Sequence, residues 1–132
     1  MTTKSPKTKI ARLKEWFAAL RSGKYKQGTG MLCYADAGGH LHYCCIGVAC
    51  EVYAKYHPKE KWEINQSNAN MTFCGEDAVF PQKVAKWFGF TVVNPVIGQT
   101  GHAVIQATSA NDSHCLTFKE IADMGEKYLL EQ

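Results

Sequence analysis

The stretch His42-Tyr43-Cys44-Cys45-Ile46-Gly47-Val48-Ala49-Cys50-Glu51-Val52-Tyr53 sets three cysteines within seven positions, where a strand-like pattern gives way to a helical one. From Cys45 onward, Cys45, Ala49, Val52, Tyr53 and Tyr56 recur at 3.6-residue spacing, which predicts a helix running to His57 and ended by Pro58. Its apolar content predicts a central, well-buried helix. Just upstream, the apolar run Met31-Leu32-Cys33-Tyr34, the turn Asp36-Ala37-Gly38-Gly39 and the return through Leu41-His42-Tyr43-Cys44 predict a hairpin. A hairpin that feeds a buried helix is therefore the nucleus from which the fold is read.

Working outward, Ile10, Leu13, Phe17 and Leu20 predict an amphipathic first helix that stops at Ser22-Gly23. Downstream, the polar patch at 65–70 reads as loop. Pro81 suits the first position of a short helix carrying Val84, Trp87 and Phe88, with Gly89 as its C-terminal cap. The runs at 91–93 and 102–105 are β-prone. Thr117 and Glu120 form a capping box and Leu116 and Ile121 its hydrophobic staple, so a last helix begins at Phe118 and buries Phe118, Ile121 and Tyr128 or Leu129. Neither repeat nor linker divides the chain. The expectation is one α+β domain over 1–132, with about four helices around a small, mainly antiparallel sheet and a basic, flexible arm at 1–8.

A chain of 132 residues, 45% hydrophobic, buries a sufficient core without staples. Its start is polar and basic and lacks the apolar run of a secretion signal, and no segment approaches the roughly 20 apolar residues of a membrane span. A reducing cytoplasm and no membrane partner are expected, so the six cysteines are expected as thiols. Eight of the fifteen basic residues lie in the first 26 positions against Glu15 alone, giving this segment +7 and the remainder −4. Such an arm can meet nucleic acid, a nucleotide or an acidic host protein, although a solvated helix face is the plainer reading.

With disulfides set aside, the cysteines invite three readings. Zinc knuckles need paired ligands a few residues apart, whereas Cys44 and Cys45 are adjacent and Cys50 lies along the same helix, so no bound metal and no cofactor are expected. A thiol at a helix start has its thiolate favoured by the dipole, which singles out Cys45, with Gly47 allowing another backbone to approach. The bland alternative is that these are small hydrophobes packing a helix tightly.

The segment Gly23-Lys24-Tyr25-Lys26-Gln27-Gly28-Thr29-Gly30 is a second candidate. Its glycines can turn N–H groups toward a phosphate while Lys24 and Lys26 add charge. It is no P-loop, because the Lys-Ser/Thr ending is missing and the order is helix, loop, strand. Asn111-Asp112-Ser113 reads either as a turn positioning the last capping box or as polar groups projecting into a pocket.

Two resemblances bear on function. Cys45-Ile46-Gly47 followed by Tyr53 resembles the nucleophile segment of NlpC/P60-type cysteine peptidases, although isoleucine stands where that family has serine. This resemblance implies a Cys45/His102/Asn111 arrangement and a cysteine hydrolase or transferase. Ala19-Leu20-Arg21-Ser22-Gly23, Cys44-Cys45-Ile46-Gly47-Val48-Ala49-Cys50, and Asn111-Asp112 with Thr117-Phe118-Lys119-Glu120-Ile121-Ala122-Asp123 together resemble a group of small proteins from tailed bacteriophages and prophages. That likeness implies a phage accessory protein in the host bacterial cytoplasm, of the kind used in counter-defence. The leading expectation is a non-catalytic binder of a phosphate-bearing small molecule such as a nucleotide signal, held by Lys24, Tyr25, Lys26, Gly28, Asn111 and Asp112. A cysteine enzyme, an inhibitor binding a host protein through the first helix, and a homo-oligomer complete the readings.

Overall fold

The structure, a computed structural model, describes residues 4–64 and 70–131 of the chain. Helix α1 (Lys9–Arg21) leads into a two-residue strand β1 (Lys26–Gln27), then β2 (Cys33–Ala35), β3 (Leu41–Tyr43) and helix α2 (Cys45–Tyr56). The hairpin strands β4 (Trp62–Ile64) and β5 (Met71–Phe73) follow, then α3 (Gln82–Phe88), the hairpin β6 (Val96–Thr100) and β7 (Ala103–Gln106), α4 (Ala107–Asp112) and α5 (Phe118–Leu130). This is an α+β domain in which three small sheets replace the single one expected. One has the order β1-β3-β2, with β1 parallel and β2 antiparallel to β3, and the other two are antiparallel pairs.

Helix α2 is the centre. Every residue from Cys45 to Cys50 is buried, with Val52 and Tyr53, so its first half is enclosed all round rather than on one stripe. Cys44 takes the N-cap position, its Sγ accepting from the Gly47 N–H at 3.4 Å. Gly47 is required by contact: a Cβ there would lie 1.9 Å from the Leu32 carbonyl oxygen, on the backbone that enters β2. That same oxygen accepts the Cys44 N–H at 3.2 Å, so hairpin and helix start are fastened at one carbonyl.

The buried face of α1 is Leu13, Trp16, Phe17 and Leu20. Ile10, expected on that face, is 58% exposed, and fully buried Trp16 takes over, donating from Nε1 to the Cys45 carbonyl at 2.9 Å. Its ring meets the buried Phe17, Phe80 and Phe88 and the partly buried Phe90, and each fully buried ring contributes roughly 1.5–3 kcal/mol relative to exposure. Arg21 ties α1 to α5 through Asp123 at 2.9 Å and Glu126 at 3.3 Å. Gly125 lets α5 close against the Phe17 ring.

Local signals hold at the helix ends. Thr117 and Glu120 form the capping box, and Gly89 ends α3 with φ +93°. Pro81 stands one place earlier than expected, as the N-cap of α3. Two expectations change. The run at 91–93 forms bends with Val92 and Val93 exposed, and the strand forms instead over β6, which has β7 to pair with. Asn111 and Asp112 belong to α4 rather than to a turn. In α5, Phe118 and Ile121 are buried as expected, but Ala122 and Gly125 complete the core face while Tyr128 and Leu129 are only partly covered. The loop expected at 65–70 lies almost wholly outside the described residues.

Candidate functional site

Asn111 is the one buried polar side chain among the described core residues, at 1% exposure. Its Oδ1 accepts from the Cys45 N–H at 3.1 Å and from Gln27 Nε2 at 3.0 Å. Its Nδ2 donates to the Gly28 carbonyl and to Asp112 Oδ1, both at 2.8 Å. Gln27 extends the network, donating to the Leu116 carbonyl at 2.8 Å and accepting the Phe118 N–H at 3.1 Å, while Asp112 Oδ1 also accepts the Gly30 N–H at 3.1 Å. One amide thus satisfies the otherwise orphaned first N–H of α2 and joins β1, α4 and the start of α5. Gly28 is enclosed too: a Cβ there would strike Tyr34 and His42. Asn111, Asp112 and Gly28 were expected to meet a ligand. Asn111 and Gly28 instead spend their polar groups within this network, and Asp112 commits its Oδ1 to it.

The same network closes the nucleophile reading. Cys45 is fully buried and its thiol donates to the Ala107 carbonyl at 3.4 Å. Burial raises its pKa well above the ordinary thiol value and outweighs the helix-start N–H groups that lower it. Cys44 is likewise pushed up to about 11 by burial. Asn111 reaches the Cys45 backbone, not a histidine. His102 is exposed at the turn between β6 and β7, five residues before Ala107 and about 16 Å from it along extended chain. Cys45 and His102 are not brought together, because β7 carries the histidine outward from the point where the thiol is held.

The lysine segment is open. Ser22 receives the turn after α1, its hydroxyl donating to the Ala19 carbonyl at 2.6 Å and accepting the Lys24 N–H at 3.2 Å, with Gly23 at φ +75°. This aims Lys24 and Tyr25 into a cleft of about 560 Å³ between α1 and α2, lined also by Glu15, Ala18, Ala19, Glu51 and Lys55. A second depression of about 430 Å³ shares Lys24, Tyr25 and Glu51 and adds Lys26 and His40. Both volumes fall in the range of small-molecule sites. The Lys24 ammonium sits 5.6 Å from the centre of the Tyr25 ring. Among the described residues, neither Lys24 nor Lys26 has a carboxylate partner. Tyr25 stands edge-on to Tyr43 at 5.2 Å, and Glu51 fixes that wall by accepting from the Tyr43 hydroxyl at 3.3 Å and Trp62 Nε1 at 3.0 Å. Burial, reinforced by the Glu51 charge, raises the Tyr25 pKa, so its hydroxyl stays a neutral donor.

Two of the N-terminal charges are committed internally. Arg12 donates to the Pro6 and Trp87 carbonyls and lies 4.6 Å over the Trp87 ring, and Arg21 holds α5. Lys9 packs its stem against Gly89. Lys24 and Lys26 remain available at a concave surface. Among the described residues no group of three or more His, Cys, Asp or Glu side chains is placed to hold a metal ion, and no helix is long and apolar enough to cross a membrane.

Glu15, Glu51 and Lys55 were not singled out from sequence as site residues. The signal is visible in retrospect: Glu15, Ala18, Ala19 and Ser22 form one stripe of α1, and Glu51, Ala54 and Lys55 one stripe of α2, each with alanine where a groove needs a floor.

The family model described as domain of unknown function DUF8296 matches residues 7–129. No curated protein and no solved structure matches the chain.

Proposed function

We propose that this chain, which belongs to the DUF8296 family, is a non-catalytic binding protein that captures a phosphate-bearing small molecule in the cleft between α1 and α2. The observation that carries the reading is that Lys24 and Lys26 flank Tyr25 and have no carboxylate partner among the described residues, Lys24 lining the ligand-sized cleft and Lys26 the adjoining depression that shares Lys24 and Tyr25 with it. Two ammonium groups supply charge-assisted hydrogen bonds to a phosphate, and the Tyr25 ring offers an aromatic edge or face beside them. The contact set is Lys24, Tyr25 and Lys26, joined by Ser22. Gly28, Asn111 and Asp112 act behind it, holding β1 in place. The setting, a phage accessory protein that removes a host nucleotide signal during counter-defence, rests on the sequence resemblance.

Isothermal calorimetry with a panel of linear and cyclic nucleotides is the test. The reading expects saturable binding to at least one of them, weakened about tenfold or more by Lys24→Ala with Lys26→Ala, as expected when charge-assisted contacts are lost. Absence of binding across the panel, or binding indifferent to both lysines, overturns it.

A further inference from the structure

The cleft has two unlike ends. Lys24 and Tyr25 stand at one, beside Ser22. Glu15 stands at the other, seven residues back along α1 and so about 10 Å away. Ala18, Ala19 and Ala54 line the stretch between. Tyr56 donates to Glu15 Oε1 at 2.5 Å. Glu15 Oε2 is buried and has no hydrogen-bond donor among the described residues; the Lys55 ammonium forms an ion pair with it at 3.9 Å, too far for a hydrogen bond. A carboxylate oxygen withdrawn from water without a donor is an unmet demand for an N–H. A ligand made only of phosphate leaves that demand unmet and meets repulsion from Glu15 and Glu51.

Resting on the phosphate-capture reading, we infer that the ligand of this cleft is a guanine nucleotide, its phosphate at Lys24 and its base at Glu15. Guanine alone among the common bases presents a ring N–H and an exocyclic amine side by side, both donors, on the edge that would face a carboxylate. Adenine presents an acceptor beside its amine, and uracil flanks its single N–H with carbonyls. Lys55, whose side chain is 55% exposed, covers Glu15 Oε2 in the free protein and moves aside for the base. The alanine floor accommodates the flat ring.

The experiment titrates guanosine monophosphate, adenosine monophosphate and inorganic phosphate into the full chain, into Glu15→Gln, into Ala18→Leu and into Lys24→Ala/Lys26→Ala. Glu15→Gln keeps an acceptor for Tyr56 and Ala18 is exposed, so both variants are expected to keep the wild-type melting temperature. The expected result is guanosine monophosphate bound about tenfold more tightly than adenosine monophosphate, the discrimination of one good bidentate pair. Glu15→Gln should erase that preference by weakening the guanine ligand alone, and Ala18→Leu should weaken both nucleotides. Equal binding of the two nucleotides that still depends on Lys24 and Lys26 overturns the guanine assignment and leaves phosphate capture standing. A guanine preference that survives in Glu15→Gln also overturns it. Binding of none of the three probes overturns the guanine assignment, and phosphate capture falls with it when the wider panel of linear and cyclic nucleotides is silent too.

Discussion

The start of α2 and the segment after α1 look opposite in sequence and in structure. The first, Cys44-Cys45-Ile46-Gly47, carries the residue types from which catalytic and metal sites are built, and every one of its side chains is shut inside the protein. The second, Ser22-Gly23-Lys24-Tyr25-Lys26, reads as a glycine-bearing basic loop suited to a phosphate, and its lysines line two adjoining depressions with no carboxylate partner among the described residues. The lesson concerns what surrounds a group rather than what it is. At Cys45, burial raises the thiol pKa more than the neighbouring N–H groups lower it, while at Lys24 two alanine-floored helix stripes leave room for a ligand.

If α2 is a structural keystone, perturbing it should cost stability, and perturbing the lysine segment should not. Asn111→Ala should show the largest effect, because it strands Cys45 N–H, Gln27 Nε2 and the Gly28 carbonyl together: a loss of about 4 kcal/mol by chemical denaturation. A loss under about 1 kcal/mol would break the keystone side of the comparison. Gly47→Ala should cost about 3 kcal/mol, since the added methyl meets a backbone carbonyl that cannot swing away.

Alkaline pH gives the third effect, with its sign fixed by burial. Burial pushes Cys44 in the folded chain up to about 11 from an ordinary thiol value of 9.0, so above about pH 9 the unfolded state binds fewer protons than the folded one. Its contribution is complete below that pH and is lost as pH rises through about 11, amounting to roughly 2–3 kcal/mol. Unfolding curves from pH 7 to 11 check this, and Cys44→Ala should flatten the slope. Smallest of all, Lys24→Ala with Lys26→Ala should move stability by no more than about 0.5 kcal/mol, as expected for exposed cations without ion pairs. A loss of several kcal/mol there would mean that the segment is structural after all.

What was legible in the sequence was local. The junction at Cys44–Cys45, the capping box at Thr117 and the glycine stop at Gly89 each depend on residues within a few positions, and each stands where expected. The run at 91–93 misled because β-branched side chains favour a strand only where a partner exists, and the partner of β7 is β6. Helix α4 escaped notice because its start is fixed from a distant loop: the Ala107 N–H donates to the Pro95 carbonyl and the Thr108 N–H to Asn94 Oδ1. Asn111 was legible as a residue of consequence but not as a hub, since its partners Gln27, Gly28 and Cys45 come from far along the chain. The cleft was half legible, its lysines visible as a cluster and its acids hidden on two separate helices.

The central claim is that ligand chemistry belongs to the lysine cleft and not to the cysteine junction. Its most direct test is a proton–nitrogen NMR titration of the full chain with guanosine monophosphate. The account predicts saturable shifts at Glu15, Ser22, Lys24, Tyr25 and Lys55, with Cys45, Cys50 and Asn111 unmoved. Shifts centred on Cys44, Cys45 and Ala107, with the cleft residues silent, would contradict it.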